Sequence, residues 1–171
     1  MVHIYYGNGK GKTTAAVGLA VRAAGAGMKV AFLQFLKNGA SSEISILSAL
    51  DNVTVICCEE CKKFTFAMND VEKAEVTQRH NEMLKTVSDF LSENAVQLVV
   101  LDEFIDACNK ELIDADLADS FIEKNLTKGE IVMTGRNPSD KLKKCADYLT
   151  EMTAEKHPYD KGITARKGIE Y

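Results

Sequence analysis

Residues 7–14 read Gly7-Asn8-Gly9-Lys10-Gly11-Lys12-Thr13-Thr14. The apolar run before them, residues 2–6, predicts a buried strand, and the small residues that follow, 14–21, predict a helix. A strand, a glycine-rich loop ending in Gly-Lys-Thr and a helix together form a phosphate-binding arrangement, because the glycines let successive N–H groups point at one anion. The helix N-terminus adds partial positive charge. The sequence therefore predicts a nucleotide site in an α/β fold.

The loop at residues 7–14 is shorter than the common form. Phosphate loops usually place four residues between the first glycine and the Gly-Lys pair, whereas three separate Gly7 from Gly11 here. The anchors remain, since Lys12 supplies a full positive charge and Thr13 can offer its hydroxyl to a magnesium ion carried by the phosphates. We expect the shorter loop to seat a polyphosphate differently. A glycine-rich turn with a chance lysine is the alternative, and the flanking strand and helix count against it.

A second informative segment, residues 96–103, is an apolar strand that ends in Asp102-Glu103. Beside a phosphate loop, such a strand is the Walker B arrangement, in which carboxylates at the strand's carboxyl end face the magnesium ion. Acids at a strand end can also cap the next helix. The pairing with the Gly-Lys-Thr loop favours the metal site.

The remaining pattern alternates strands with helices, and the strand–helix–strand opening predicts a right-handed crossover and a parallel sheet. Asn69 and Glu72 form a capping box that starts a long helix, and Asn137-Pro138 is typical of a helix start. The other strands are predicted at residues 29–35, 53–57, 129–136 and 148–152, and the helices at residues 43–50, 69–93 and 107–125.

Ligands of open α/β sheets lie at the carboxyl ends of the strands. Gln34, Lys37 and Arg136 all follow or end predicted strands, so they are candidate ligand contacts. A guanidinium at this edge can clamp phosphate oxygens. A solvated loop lysine is the simpler interpretation of Lys37, and a plain surface arginine is the alternative for Arg136.

Two of the five cysteines, Cys58 and Cys61, have the spacing of metal ligands. A structural zinc site would need a second pair, and Cys108 and Cys145 are isolated in the sequence. Ordinary reduced thiols are therefore the favoured interpretation. His80 lies on the apolar face of the predicted helix 69–93, which predicts a buried, hydrogen-bonded histidine rather than a catalytic one.

Composition is that of an ordinary globular protein. The chain has 171 residues, a mass of 18.8 kDa, a net charge of −4 and a pI near 5.4, which favour one domain over residues 1–171 and argue against wholesale nucleic-acid binding. No apolar stretch reaches membrane-spanning length. The start directly in a strand leaves no room for a signal peptide. An odd number of cysteines without regular spacing favours the reducing cytoplasm.

Several segments together resemble a known family, the ATP:corrinoid adenosyltransferases of the CobA/CobO/BtuR type. The resemblance covers essentially the whole chain, and the short phosphate loop is its most distinctive part. It implies a RecA-like P-loop fold, with a mostly parallel central sheet and helices on both faces, that works as a homodimer. The segments that carry it are residues 7–14, 34–37, 64–66, 99–103, 134–136 and 156–171.

The resemblance also implies the reaction. Such enzymes move the 5′-deoxyadenosyl group of ATP onto the Co(I) centre of a corrinoid, either cobalamin or cobyrinic acid diamide, and release triphosphate. An electron-donating reductase of the flavoprotein type must first reduce the cobalt. ATP lies reversed along the loop, so that the ribose carbon faces the incoming cobalt. The main rival is a RecA-like P-loop ATPase that hydrolyses ATP to drive a partner, with Glu103 activating water.

Site roles follow from the same resemblance. Lys12, Glu103 and Arg136 are the expected catalytic residues, with Lys12 and Arg136 on the phosphates. Thr13 and Glu103 would bind Mg²⁺, for which Mn²⁺ is an alternative, and Asp102 would hold the ligands of the metal without touching it. The residues expected to bind ATP are Gly7, Asn8, Gly9, Lys10, Gly11, Lys12, Thr13, Thr14 and Arg136.

Phe64 and Phe66 fall where the family places aromatic side chains against the lower face of the corrin. Trp is more familiar at the second position, so Phe66 is a departure that makes the apolar cover smaller. The alternative is that both rings anchor their loop to the core. A second departure is at the start, where family members often carry a helical extension that covers the partner subunit's active site.

Overall fold

The structure, a computed structural model, describes residues 1–93, 95–125 and 127–171. Its sheet has six strands, all parallel, in the order β3-β2-β4-β5-β1-β6. This confirms the predicted α/β class and parallel sheet. The strands are β1 (Val2–Tyr6), β2 (Val30–Gln34), β3 (Val53–Cys57), β4 (Leu98–Asp102), β5 (Glu130–Gly135) and β6 (Tyr148–Glu151). The helices are α1 (Lys12–Gly25), α2 (Ser42–Leu47), α3 (Asp70–Ser92), α4 (Phe104–Asn109), α5 (Ala115–Asn125) and α6 (Asp140–Cys145), with short 3₁₀ turns at Thr65–Ala67 and Pro158–Lys161.

Helices cover both faces of the sheet, as predicted. On one face α1 packs through Ala16, Ala20 and Ala23, whose small side chains let the helix approach the strands closely. On the other face α3, α4 and α5 bury a larger apolar cluster. The neighbouring interior strands β2 and β4 are buried along their whole length, as expected of parallel strands covered on both sides.

Parallel pairing brings the carboxyl ends of all six strands to one edge of the sheet. The loop after β1 and the acidic end of β4 therefore lie on the same side, although β5 separates the two strands. We call this side the ligand edge. In open α/β sheets it is the side where ligands bind.

The capping box at the start of α3 is confirmed. The Asn69 side chain accepts a hydrogen bond of 2.9 Å from the backbone N–H of Glu72, and the Glu72 side chain accepts one of 2.9 Å from the Asn69 N–H. Of the helices in the described part of the chain, none is both long and apolar enough to cross a membrane.

Two helix predictions are wrong in detail. The helix predicted at residues 107–125 is two helices, α4 and α5, because the chain turns at residues 110–114 and Glu111 takes a left-handed conformation with φ 56°. Asp114 then accepts a hydrogen bond of 2.9 Å from the Leu117 N–H, which starts α5. Likewise α6 is capped by Ser139, not by the predicted Asn137.

Candidate functional site

The glycine loop, residues 7–13, is pressed against the chain that follows β6. The Gly9 N–H donates a hydrogen bond of 2.6 Å to the Met152 carbonyl oxygen. A Cβ at Gly9 would lie 2.6 Å from that oxygen, so a side chain does not fit there. Gly7 and Gly11 have φ values of 112° and 114°, which L side chains rarely adopt. The glycines are therefore required by close approach and by backbone conformation, in addition to any ligand.

Lys12 lies at the first position of α1 and folds back over the loop. Its Nζ donates a hydrogen bond of 2.9 Å to the Gly9 carbonyl oxygen. Burial lowers the pKa of Lys12, and the positive charge of Arg136 lowers it further. Two neighbouring cations that repel each other suit the binding of a polyanion, because the negative charge offsets their repulsion.

Arg136 directly follows β5, and its exposed side chain lies on the ligand edge as predicted. The Asp106 carboxylate accepts a hydrogen bond of 2.8 Å from the Arg136 N–H, and the Asn109 amide donates one of 2.8 Å to the Arg136 carbonyl oxygen. A Cβ at Gly135 would lie 2.7 Å from the Asp106 carboxylate, so only glycine lets β5 end this close to α4. The backbone at Arg136 is thus held firmly, whereas its guanidinium reaches into solvent.

Asp102 is fully buried at the end of β4. Its Oδ1 accepts hydrogen bonds of 2.8 Å from the hydroxyls of both Thr13 and Thr134. Its Oδ2 lies 3.1 Å from the Lys37 ammonium and 3.3 Å from the Gln34 amide nitrogen. With four partners the carboxylate is fixed in place, and it in turn orients the Thr13 hydroxyl, whose oxygen keeps lone pairs for another ligand.

The interpretation of Lys37 as a solvated loop lysine is wrong. The ammonium group forms an ion pair with the buried Asp102. Burial acts to lower the pKa of Lys37, but the charges of Asp102 and Glu103 outweigh it, and the pKa is raised. Lys37 is therefore charged and is part of the site.

Glu103 holds a left-handed backbone conformation, φ 62° and ψ 14°, which is uncommon for a residue other than glycine. Its N–H donates a hydrogen bond of 2.9 Å to the Thr134 hydroxyl oxygen. Burial raises the pKa of Glu103 to about 7, and the charges of Asp102 and Asp106 contribute to the rise. Strained backbone and a perturbed carboxylate together are typical of functional positions.

The side-chain oxygen atoms at the carboxyl end of β4 are suitable ligands for a magnesium ion. Carboxylate and hydroxyl oxygens are the ligands that Mg²⁺ prefers, and those of Thr13 and Glu103 lie on either side of the buried Asp102, which orients the Thr13 hydroxyl. In addition, the Gln34 side-chain oxygen is buried without a hydrogen-bond partner in the described part of the chain. A bound cation would stabilise the charged form of the Glu103 carboxylate and would give the Gln34 oxygen a partner.

A cleft of about 500 Å³ opens beside the glycine loop. Lys12, Lys37 and Glu103 line one part of it, and residues 168–171 line another. The Ser42 hydroxyl donates a hydrogen bond of 3.0 Å to the main-chain oxygen of Tyr171, which fastens this tail over the cleft. Spacing and periodicity in the sequence gave no signal that the tail reaches this cleft, because the contact joins segments that are far apart in the chain.

Phe64 and Phe66 are exposed to 78% and 87%. Their rings stack on each other, with centroids 5.6 Å apart and planes 6° from parallel. The Lys110 ammonium donates a hydrogen bond of 3.0 Å to the Thr65 hydroxyl oxygen between them. The alternative that the two rings anchor the loop to the core is therefore wrong.

His80 is buried, as predicted, and its Nδ1 lies 2.8 Å from the Leu112 carbonyl oxygen. The structure also places it beside Cys58 and Cys61, with its Nε2 3.9 Å from the Cys61 sulfur. The spacing of Cys58 and Cys61 in the sequence pairs them, but nothing in the sequence predicts that His80 lies beside them.

Comparison with known proteins gives one consistent family. The chain matches the family described as ATP:corrinoid adenosyltransferase BtuR/CobO/CobP over residues 1–171. It is 33% identical over 174 residues to the corrinoid adenosyltransferase of Pseudomonas aeruginosa, which covers 98% of this chain and 82% of that protein. The corrinoid adenosyltransferase of Escherichia coli K12 is 26% identical over 171 residues, covering 100% of this chain and 85% of the relative.

Proposed function

The chain belongs to the ATP:corrinoid adenosyltransferase BtuR/CobO/CobP family, and we propose that it transfers the 5′-deoxyadenosyl group of ATP to the Co(I) centre of a corrinoid and releases triphosphate. The observation that carries the proposal is the ligand edge itself. There a short glycine loop, the cations Lys12 and Lys37, and Glu103 at an acidic strand end line one cleft. The corrinoid would be cobalamin or cobyrinic acid diamide.

The glycine loop would bind the triphosphate part of ATP. Backbone N–H groups at the start of α1 supply partial positive charge. Lys12 would move from the Gly9 carbonyl oxygen to the phosphates, and Arg136 would meet them from the end of β5. Both cations then face the charge that grows on the leaving group, where a preorganised charge lowers the barrier most.

The chemical step is a displacement at the ribose 5′-carbon. The Co(I) electron pair forms the cobalt–carbon bond, the bond between the 5′-carbon and the ester oxygen breaks, and its electron pair leaves with triphosphate. Holding the two reactants in line is a large part of the catalysis of such a step. The protein needs to position ATP and to stabilise triphosphate, whereas no residue has to move a proton.

Thr13 and Glu103 would hold Mg²⁺, or Mn²⁺ in its place, and Asp102 would orient the Thr13 hydroxyl as it does in this structure. When bound, the metal neutralises phosphate charge. Glu103 would bind the metal as a carboxylate, so its raised pKa would make metal binding dependent on pH.

Phe64 and Phe66 would contact the lower face of the corrin. A lower ligand donates electron density into the orbital that must accept the electron, so its removal makes Co(II) easier to reduce. Two exposed, stacked rings form an apolar surface that can exclude water and the corrin's own base. The electron would come from a reductase, which we propose to be of the flavoprotein type.

Three broader features remain proposals. We propose one domain over residues 1–171, a homodimer and a cytoplasmic enzyme without nucleic-acid or membrane partners. The all-parallel sheet with helices on both of its faces supports the first. The cysteines of the chain are free thiols, which suits a reducing compartment.

An ATPase is the second candidate, because a carboxylate with a pKa of about 7, like that of Glu103, also suits a general base for water. The phosphate product separates the two. With Mg²⁺, ATP and chemically reduced corrinoid, we expect intact triphosphate and an equal amount of a light-sensitive adenosylated corrinoid. ADP and phosphate as the main products, independent of corrinoid, would assign the protein to the ATPases.

A further inference from the structure

Cys58, Cys61 and His80 form a buried cluster next to the ligand edge. The two sulfur atoms are 3.1 Å apart, and the His80 Nε2 lies 3.9 Å from the Cys61 sulfur. One ligand atom from each residue lies within 4.8 Å of the others. All three side chains are almost inaccessible to solvent. None of them has a part in the proposed adenosyl transfer.

The local structure presents these atoms in the form that a metal needs. Cys58 follows β3, and the Cys61 N–H donates a hydrogen bond of 3.0 Å to the Cys58 carbonyl oxygen, so a tight turn brings both sulfurs to one side. His80 comes from α3. Its Nδ1 must donate to the Leu112 carbonyl oxygen, 2.8 Å away, since that oxygen can only accept. The proton is thus on Nδ1, and Nε2 faces the sulfurs without one.

This second contact of the imidazole is typical of metal sites. Histidines that bind metals nearly always donate their other ring N–H to a carbonyl or carboxylate oxygen, which fixes the tautomer and the ring orientation. The Leu36 N–H also points at Nε2, at a distance of 3.3 Å. At that length the hydrogen bond is weak, so a cation can replace it.

We propose that Cys58, Cys61 and His80 bind a Zn²⁺ ion. Two thiolates and an imidazole are three of the four ligands of a tetrahedral zinc site. Glu60 is placed to supply the fourth, because its carboxylate oxygen lies 3.7 Å from the Cys58 sulfur. Arg79, 3.9 Å from the same carboxylate oxygen, would balance the negative charge of the complex.

Zinc at this position would fasten the loop that carries Phe64 and Phe66. The chain between the cysteine pair and these rings is short, and His80 ties the pair to the middle of α3. The metal would replace weak thiol contacts with bonds between the end of β3 and the helix. This consequence for the loop rests on the proposed function, whereas metal binding itself does not.

The test is the metal content of the full-length protein, purified with a reductant and without added nucleotide. We expect one zinc per chain in the wild type and in Cys145→Ser, whose thiol lies outside the cluster. Cys61→Ser and His80→Gln should lose affinity by more than about tenfold, the scale reached when even a hydrogen-bond partner of a metal ligand is removed. Zinc retained at full affinity in both cluster variants would overturn the proposal.

Cobalt substitution keeps the test decisive if a cluster variant fails to fold. Co²⁺ added to metal-free wild type should give an intense thiolate-to-metal charge-transfer band, and added Zn²⁺ should abolish it. Wild-type protein without zinc and without this band would overturn the proposal, as would a Cys58–Cys61 disulfide in freshly isolated protein. Because these readouts do not involve ATP or corrinoid, a failed zinc site and a failed adenosyl transfer would be told apart.

Discussion

Replacing Glu103 by Gln should stabilise the ligand-free protein at pH 8, although it damages the site. The folded chain keeps the Glu103 proton up to a pKa of about 7, whereas the ordinary value is 4.5. Between these values the folded chain binds more protons than the unfolded chain, so the free energy of unfolding falls as the pH rises. Above pH 7 the wild type loses the full amount of folding stability that ionisation of the buried Glu103 costs. Glu103→Gln has no charge at this position and loses none of it.

The size of this destabilisation follows from the pKa shift of Glu103. A rise from 4.5 to about 7 corresponds to an upper limit of about 3.4 kcal/mol, at about 1.36 kcal/mol for each pKa unit. Water reaches the cleft and Lys37 lies close by, so we expect about 1–2 kcal/mol to remain. For a chain of this length that is about 2–8 °C in the melting temperature.

The assay is thermal unfolding from pH 4 to pH 8 without nucleotide or metal, with the exposed Glu75→Gln as the control. The melting temperatures of Glu103→Gln and wild type should coincide near pH 4 and separate through pH 7, while Glu75→Gln follows the wild type. Adding Mg²⁺ and ATP at pH 8 should reverse the order, because the variant lacks a metal ligand. A constant difference at every pH would show that the Glu103 charge is not penalised in the folded protein.

The other predictions concern residues around the same cleft. Lys12→Ala should cost about 3–4 kcal/mol in the transition state, measured as kcat/KM, while the surface variant Lys144→Ala keeps normal turnover. Phe64→Ala and Phe66→Ala should slow adenosylation much more from Co(II) with a reductase than from preformed Co(I), with no change in melting temperature because both rings are exposed; equal losses under both conditions would contradict the proposed role. Deleting residues 168–171 should raise the KM for ATP by about tenfold or less, since they line only one wall of the cleft, and an unchanged KM would exclude the tail from the site.

Strands β1 to β5 could be predicted from the sequence because each is a short, largely apolar run at a distance from the next that suits a crossover. The predicted sixth strand, β6, is also present, although it is exposed along its whole length. All six were found at nearly correct positions. The order of the strands was not predictable in the same way. Nothing local in residues 129–136 says that β5 pairs between β1 and β4, since that choice depends on how the helices pack on both faces.

The errors have physical causes of the same kind. The break between α4 and α5 depends on Asp114, whose N–H donates to the Asn81 side chain of another helix at 3.0 Å. The sequence favours a solvated Lys37 because its partner, Asp102, is 65 residues away in the chain. His80 reaches Cys61 only through the packing of α3. Rules based on periodicity or spacing do not predict any of these contacts.

The short glycine loop was recognised from the sequence, but the reason it works is three-dimensional. The Asn8 side chain accepts a hydrogen bond of 3.1 Å from the Ala154 N–H, and the Gly9 N–H donates to Met152. One loop N–H and one loop side chain thus hold the extension of β6 in place. The Gly9 N–H is engaged by this contact, whereas the Asn8 side-chain amide nitrogen, which carries two donors, takes no part in it.

Charged groups gather where the loop meets α1, because Lys12 lies there and its pKa is affected by Arg136 after β5 and by Glu103 after β4. In the proposed reaction this end of the loop would bind the triphosphate. A site that must present a terminal phosphorus to water needs that group held from several sides. A site that only has to stabilise departing triphosphate can concentrate its charge where the negative charge gathers, which is the arrangement that the proposed adenosyl transfer requires.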